Sequence, residues 1–182
     1  MRTMTELANR RLLILVGPDY QDLELWYPRL RLTEAGAAVI VAGSSAGVTY
    51  RGKHGYPCVA EAAIGEQSST LYDGLLVPGG PMPRMLCQLP AALRLTREFA
   101  AAGRLIATIC RGGLVPAAAG VFGGVRTTGY PEIRLELERA GAIWADAPVV
   151  IDRQFISSRG PDDLPQFCHA IIDQLCTMRI VS

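Results

Sequence analysis

Apolar residues along the chain fall into two kinds of run. Four short, nearly unbroken blocks occur at Leu12–Val16, "AAVIVAG" (Ala37–Gly43), "GLLVPGG" (Gly74–Gly80) and Arg104–Ile109. Each ends at glycine, proline or cysteine. Blocks of that length without polar alternation predict strands buried on both faces. Between them, apolar positions recur at helical spacing. A helix capped by Asp19 or Asp22 is predicted to run to about Ala35 and end at Gly36, with a kink at Pro28. Further helices are predicted over Pro90–Ala102, Gly112–Gly120 and Pro131–Ala140, and Gly103 and Gly141 stop the first and third of these.

The last helix opens at "GPDDL". Pro161 suits its first position, and Asp162 and Asp163 complement the positive helix end. Leu164, Phe167, Cys168, Ile171, Ile172 and Leu175 then form one apolar face. "VTYRGKHGYPCVA" and the "PVVID"/"QFISS" pair read as hairpins, and Arg126–Thr128 as a short strand. Apolar strands alternating with helices predict an α/β fold with a mainly parallel sheet covered on both faces. Ligands in such sheets bind outside the carboxyl ends of the strands. Three of those ends carry unusual residues: "GPDYQDLE", "PGGPMPR" and "CRGG".

Composition narrows the function classes. The 182 residues are expected to form a single domain, residues 1–182, with residues 1–10 as a polar leader. Net charge is +1 and the basic residues are scattered, so neither nucleic acid nor an anionic membrane is expected as a partner. No apolar run reaches the roughly 18 residues of a membrane helix. Five cysteines, an odd number without C-x-x-C spacing, point to a reducing, cytoplasmic home. With two histidines and no clustered thiols, neither a metal nor a cofactor is expected.

The chemistry concentrates at "LIATICRGGLVPAAAG". Cys110 ends a strand, and Arg111, Gly112 and Gly113 lead into a helix-like segment. A nucleophile elbow needs small residues around it, and here glycines stand on the helix side. Backbone N–H groups at a helix start, together with Arg111, favour thiolate over thiol. The alternative from spacing alone is a buried structural cysteine.

Six stretches resemble the DJ-1/PfpI superfamily, specifically its intracellular-protease-like branch. They are "DYQDLELWYPRLRLTEAGAAVIVAG", "GKHGYP", "YDGLLVPGG", "IATICRGGLVPAAAGVFGG", "TTGYPEIRLELERAGA" and "VVIDRQFISSRGPDDLPQFCHAIID", which together span about residues 12–175. The resemblance implies a flavodoxin-like three-layer α/β/α sandwich and a homo-oligomer, a dimer or hexamer. It makes Cys110 the elbow nucleophile and Glu24 its partner acid. Gly79 and Gly80 fall on the family's P-G-G turn, where their N–H groups and that of Arg111 would stabilise an oxyanion.

Departures from the branch matter as much. Its histidine after the cysteine is Arg111 here, and the acidic residue after the P-G-G turn corresponds to Arg84. His54 and His169 lie away from the motif, so the Cys-His-Glu triad is not retained. An arginine is not a general base at neutral pH. Arg111 and Arg84 are either an anion-recognition pair or structural ion pairs. Tyr130 is a substrate hydrogen-bond donor or a core residue. Trp26 and Tyr27 read as packing or interface residues, and Cys58, Cys87, Cys168 and Cys176 as structural, the last two sharing the buried stripe of the final helix.

The function expected is a cofactor-independent cysteine enzyme of hydrolase, hydratase or lyase type, acting on a small electrophilic molecule that can carry an anionic group. Two alternatives stand beside it: a redox-sensing protein whose Cys110 is reversibly oxidised without turnover, and a specialised biosynthetic enzyme on the same scaffold.

Overall fold

The computed structural model describes residues 6–178. Strands β1 (Arg11–Leu15), β2 (Ala38–Gly43), β3 (Thr49–Arg51), β4 (Pro57–Val59), β5 (Ala62–Ala63), β6 (Gly74–Val77), β7 (Leu105–Ile109), β8 (Arg126–Thr127), β9 (Ile143–Trp144), β10 (Val149–Asp152) and β11 (Phe155–Ser158) alternate with six helices. The helices are α1 (Asp22–Glu34), α2 (Met82–Leu86), α3 (Pro90–Ala101), α4 (Leu114–Ala118), α5 (Arg134–Arg139) and α6 (Leu164–Thr177).

The main sheet has the order β10-β11-β7-β6-β1-β2-β5. Every pairing in it is parallel except β10 with β11. The four apolar blocks supply β1, β2, β6 and β7. Of these, β6 and β7 are buried along their whole lengths. Helices α1 and α6 pack together, while α4 packs with α2, α3 and α5. The result is a flavodoxin-like three-layer α/β/α sandwich. All six stripe residues of α6 are buried.

Strand order places the site. From β1 the chain moves outward to β2 and β5, then returns to β6 on the other side of β1 and continues to β7. The reversal opens a crevice at the carboxyl ends of β1 and β6, where ligands bind in such sheets. The loops after β1, β6 and β7 carry the three unusual segments.

Several elements differ from the sequence pattern. The segment after Cys110 begins as a tight 3-10 turn, Cys110–Gly113, and only then becomes α4. Helices α5 and α6 likewise start with single 3-10 turns. Gln21, not Asp19 or Asp22, caps α1, its side chain accepting the Glu24 N–H at 3.1 Å. Pro28 stands inside α1 without ending it. Cys176 is exposed, so it does not belong with Cys168 on the buried face. Residues 1–5 of the expected leader lie outside the described residues.

Candidate active site

Cys110 takes the first position after β7 with φ +59°, a left-handed conformation that a side chain adopts at a strain cost. Strand β7 is locked between β6 and β11, with Ser158 beside Ile109. The turn into α4 therefore presents the thiol at the sheet's carboxyl edge. Cys110 is only 6% exposed, yet it lines a cleft of about 550 Å³.

Glu24 arrives from the first turn of α1 and is fully buried in the same cleft. Its Oε2 accepts the Gly79 N–H at 2.8 Å, and the Gln21 N–H donates to the Gly79 carbonyl at 3.1 Å. These two bonds fasten α1 to the turn after β6. Gly79 has to be glycine: an added Cβ would sit 2.6 Å from both the Cys110 Cβ and Glu24 Oε2. Glu24 Oε1 is buried and has no hydrogen-bond partner among the described residues. Glu24 and Cys110 line one cleft and close on it from either side of Gly79.

The electrostatics correct the expectation of an acidic thiol. Burial, then the charge of Glu24, push Cys110 up to about 11, against the N–H groups of Gly80 and Arg111 and the Arg111 guanidinium. A helix-start geometry does not outweigh desolvation here. Burial also pushes Glu24 up to about 7, although Gly79, Cys110, Arg111 and Lys53 all pull it down. The pair at neutral pH is a neutral thiol facing a carboxyl near its midpoint.

The other sequence candidates divide. Gly80 and Arg111 line the cleft, and their backbone N–H groups lower the thiol. The Gly79 N–H is bonded to Glu24, so it does not serve an oxyanion as expected. Arg111 Nη2 lies 2.6 Å from Glu132 Oε2, and its guanidinium stacks over the Tyr130 ring at 4.6 Å. Tyr130, 40% exposed, lines the cleft. Arg84 is absent from it. Its two Nη atoms grip Glu136 at 2.8 and 2.7 Å beside a separate 350 Å³ cavity. The expected Arg111–Arg84 anion pair therefore does not form, and the structural ion pair is the arrangement found.

His54 lines a neighbouring apolar groove with Trp26, and His169 pairs with Asp173 on α6. Neither reaches the sulfur's cleft. Sequence reasoning missed Gln21, Lys53, Asp146 and Arg159, which line it. Lys53 stands in "GKHGYP" and Arg159 in "ISSRGP", so position after a strand end is the signal that marks them. Among the described residues no group of His, Cys, Asp and Glu is arranged to hold a metal ion, and no helix is long and apolar enough to cross a membrane.

A family model described as the DJ-1/PfpI family matches residues 10–174. The chain belongs to the DJ-1/PfpI family. A DJ-1/PfpI relative from Pyrococcus abyssi, named a deglycase, is 39% identical over 154 residues, 85% of this chain and 92% of its own. The Escherichia coli protein/nucleic acid deglycase 2 is 33% identical, over 87% of this chain and 94% of its own. Among solved structures, Drosophila melanogaster DJ-1beta superposes with a TM-score of 0.87 at 26% identity, covering 93% of this chain and 91% of that one. A two-domain protein from Anabaena variabilis, with DJ-1/ThiJ/PfpI-like and ferritin-like domains, superposes at 0.90 with 31% identity. It covers 91% of this chain, which spans 48% of that longer protein. Relatives named as deglycases support an enzyme in this superfamily.

Proposed function

We propose that the protein is a cofactor-independent cysteine enzyme that adds Cys110 to a small electrophilic carbon, with Glu24 as the proton carrier. The observation behind this reading is a fully buried carboxyl, raised to about 7, in the same cleft as the elbow thiol. A base works best when its pKa lies near the working pH. The thiol itself need not be ionised beforehand.

In the first step, Sγ bonds to the electrophilic carbon while the thiol proton passes to the Glu24 carboxylate. For a carbonyl substrate, the C=O π pair moves to oxygen, and protonated Glu24 returns the proton there. The result is a neutral thiohemiacetal, with no oxidant or reductant consumed. The N–H groups of Gly80 and Arg111, which lower the thiol, stabilise negative charge as it develops. Peptide hydrolysis by a Cys-His mechanism is disfavoured, because Arg111 stands where histidine would be needed and neither His54 nor His169 lines the cleft. A redox-sensor role is disfavoured by the raised thiol, since it is the thiolate that attacks peroxide.

Turnover of a panel of small aldehydes, amides and isonitriles by the wild type, Cys110→Ser and Glu24→Gln tests the reading. Both variants are expected to lose at least about 100-fold, the usual scale for a proton-transfer group. Activity surviving in Cys110→Ser would overturn it. So would an inactive wild type in which mild peroxide adds oxygen selectively at Cys110.

A further inference from the structure

Three cationic side chains line the Cys110 cleft: Lys53, Arg111 and Arg159. Two of them are already neutralised. Arg111 is held by Glu132, and Arg159 by Asp163 through two nitrogens and by Asp146 through a third. Lys53 makes no ion pair with any described residue. It is also the only lysine in the chain, against seventeen arginines.

The loop that carries Lys53 is firmly built. The Lys53 N–H donates to the Tyr20 carbonyl at 2.8 Å. On either side of it, the Gly52 N–H donates to the Tyr56 carbonyl at 2.9 Å, and the His54 and Tyr56 N–H groups donate to the two carboxyl oxygens of buried Asp22 at 2.8 and 2.9 Å. Gly52 lets Asp22 come this close, because a Cβ there would lie 2.3 Å from Asp22 Oδ1. Asp22 sits two residues before Glu24 on α1. The same helix turn thus fixes both the carboxyl at the sulfur and the loop that brings Lys53 to the cleft. Lys53 lines the same cleft as Glu24 and Cys110, and its charge lowers the Glu24 carboxyl.

A point charge without an ion-pair partner, on an anchored loop lining the cleft of a thiol, is a recognition element for an anion. We propose that Lys53 selects substrates bearing a carboxylate or similarly charged group, holding that group at the cleft while Cys110 reaches the adjacent electrophilic carbon. The proposal rests on the reading of Cys110 as nucleophile and adds to it the charge class of the substrate and the residue that reads it. Asp22 acts as a positioning residue, through the loop.

Iodoacetate and iodoacetamide test this whatever the natural substrate is. They differ in little but the carboxylate, and both alkylate sulfur by forming S–C and releasing iodide. Rates at Cys110 in the full-length protein are read by mass spectrometry of its peptide, with exposed Cys176 as the internal reference. The iodoacetate-to-iodoacetamide ratio is expected to be about fivefold higher at Cys110 than at Cys176, the scale of one partly solvated charge pair. Lys53→Met brings the two ratios together, Lys53→Arg keeps most of the preference, and high salt erodes it. Equal ratios in wild type and Lys53→Met overturn the proposal, as does an equal slowing of both reagents, which would mean that Lys53 only tunes Glu24. If neither reagent labels Cys110 while Cys176 is labelled, the nucleophile reading fails and Lys53 selectivity falls with it.

Discussion

Glu24 and Cys110 ionise in a fixed order. Burial raises both, but the charge of Glu24 then drives the thiol further up, to about 11, whereas the Gly79 N–H helps hold the carboxyl to about 7. The last proton of the pair therefore resides mainly on sulfur, and Glu24 is poised to receive it.

Glu24 makes the fold pH-dependent in a direction opposite to most carboxylates. Its folded-state pKa lies above the unfolded value of 4.5, so the stability it contributes is present below pH 4.5 and lost as pH rises through about 7. A rise from 4.5 to about 7 corresponds to about 3 kcal/mol. Glu24→Gln keeps an acceptor for the Gly79 N–H. Its stability relative to wild type is expected to grow by about that much between pH 4.5 and about 7, and to hold steady above. Denaturant unfolding of both proteins across that range measures it.

Arg111 lowers both members of the pair by its charge. Arg111→Met keeps the backbone N–H and removes the guanidinium. The lower limb of the pH–rate profile is then expected to move to higher pH, because Glu24 loses a stabilising cation. A kinetic pH titration of the variant checks the sign.

Arg84→Ala is expected to leave rates at Cys110 within about twofold of wild type, because Arg84 grips Glu136 beside a different cavity. Its side chain is 54% exposed, so loss of the pair costs no more than about 1 kcal/mol of stability. Parallel alkylation rates and thermal melts separate the two readouts.

Gly79→Ala places a methyl group against the Cys110 Cβ, Glu24 Oε2 and the Arg111 N–H. Overpacking of this kind costs about 1–3 kcal/mol. Here it would also pry the carboxyl from the sulfur. Alkylation of Cys110 is expected to slow by at least tenfold, about 1.4 kcal/mol in barrier, even at temperatures where circular dichroism shows the variant folded.

Local pattern carried much of this structure. The unbroken apolar blocks became the core strands, the spacing in α6 matched its buried face, and Cys110 fell at the strand end where the block stopped. Strands β5 and β9, of two residues each, and the five-residue α2 left no periodic trace. They are too short to repeat a pattern and are held by their neighbours. The site's electrostatics were hidden for another reason. The Arg84–Glu136 grip joins residues 52 apart, the Glu24–Gly79 bond residues 55 apart, and the Asp22 clamp reaches the loop around Lys53. Such pairings exist only once strands are ordered in the sheet. Burial deep enough to raise a thiol against the Gly80 and Arg111 N–H groups and a guanidinium likewise appears only in three dimensions.

The pairing of Cys110 with Glu24 is tested most directly by the pH dependence of Cys110 alkylation with iodoacetamide, in wild type and Glu24→Gln. The wild-type rate is expected to rise through a midpoint near about 7 and then level, as Glu24 becomes able to take the proton. In Glu24→Gln that midpoint disappears, and the rate climbs only at more alkaline pH. Superimposable profiles for the two proteins would contradict the assignment of Glu24 as the proton acceptor.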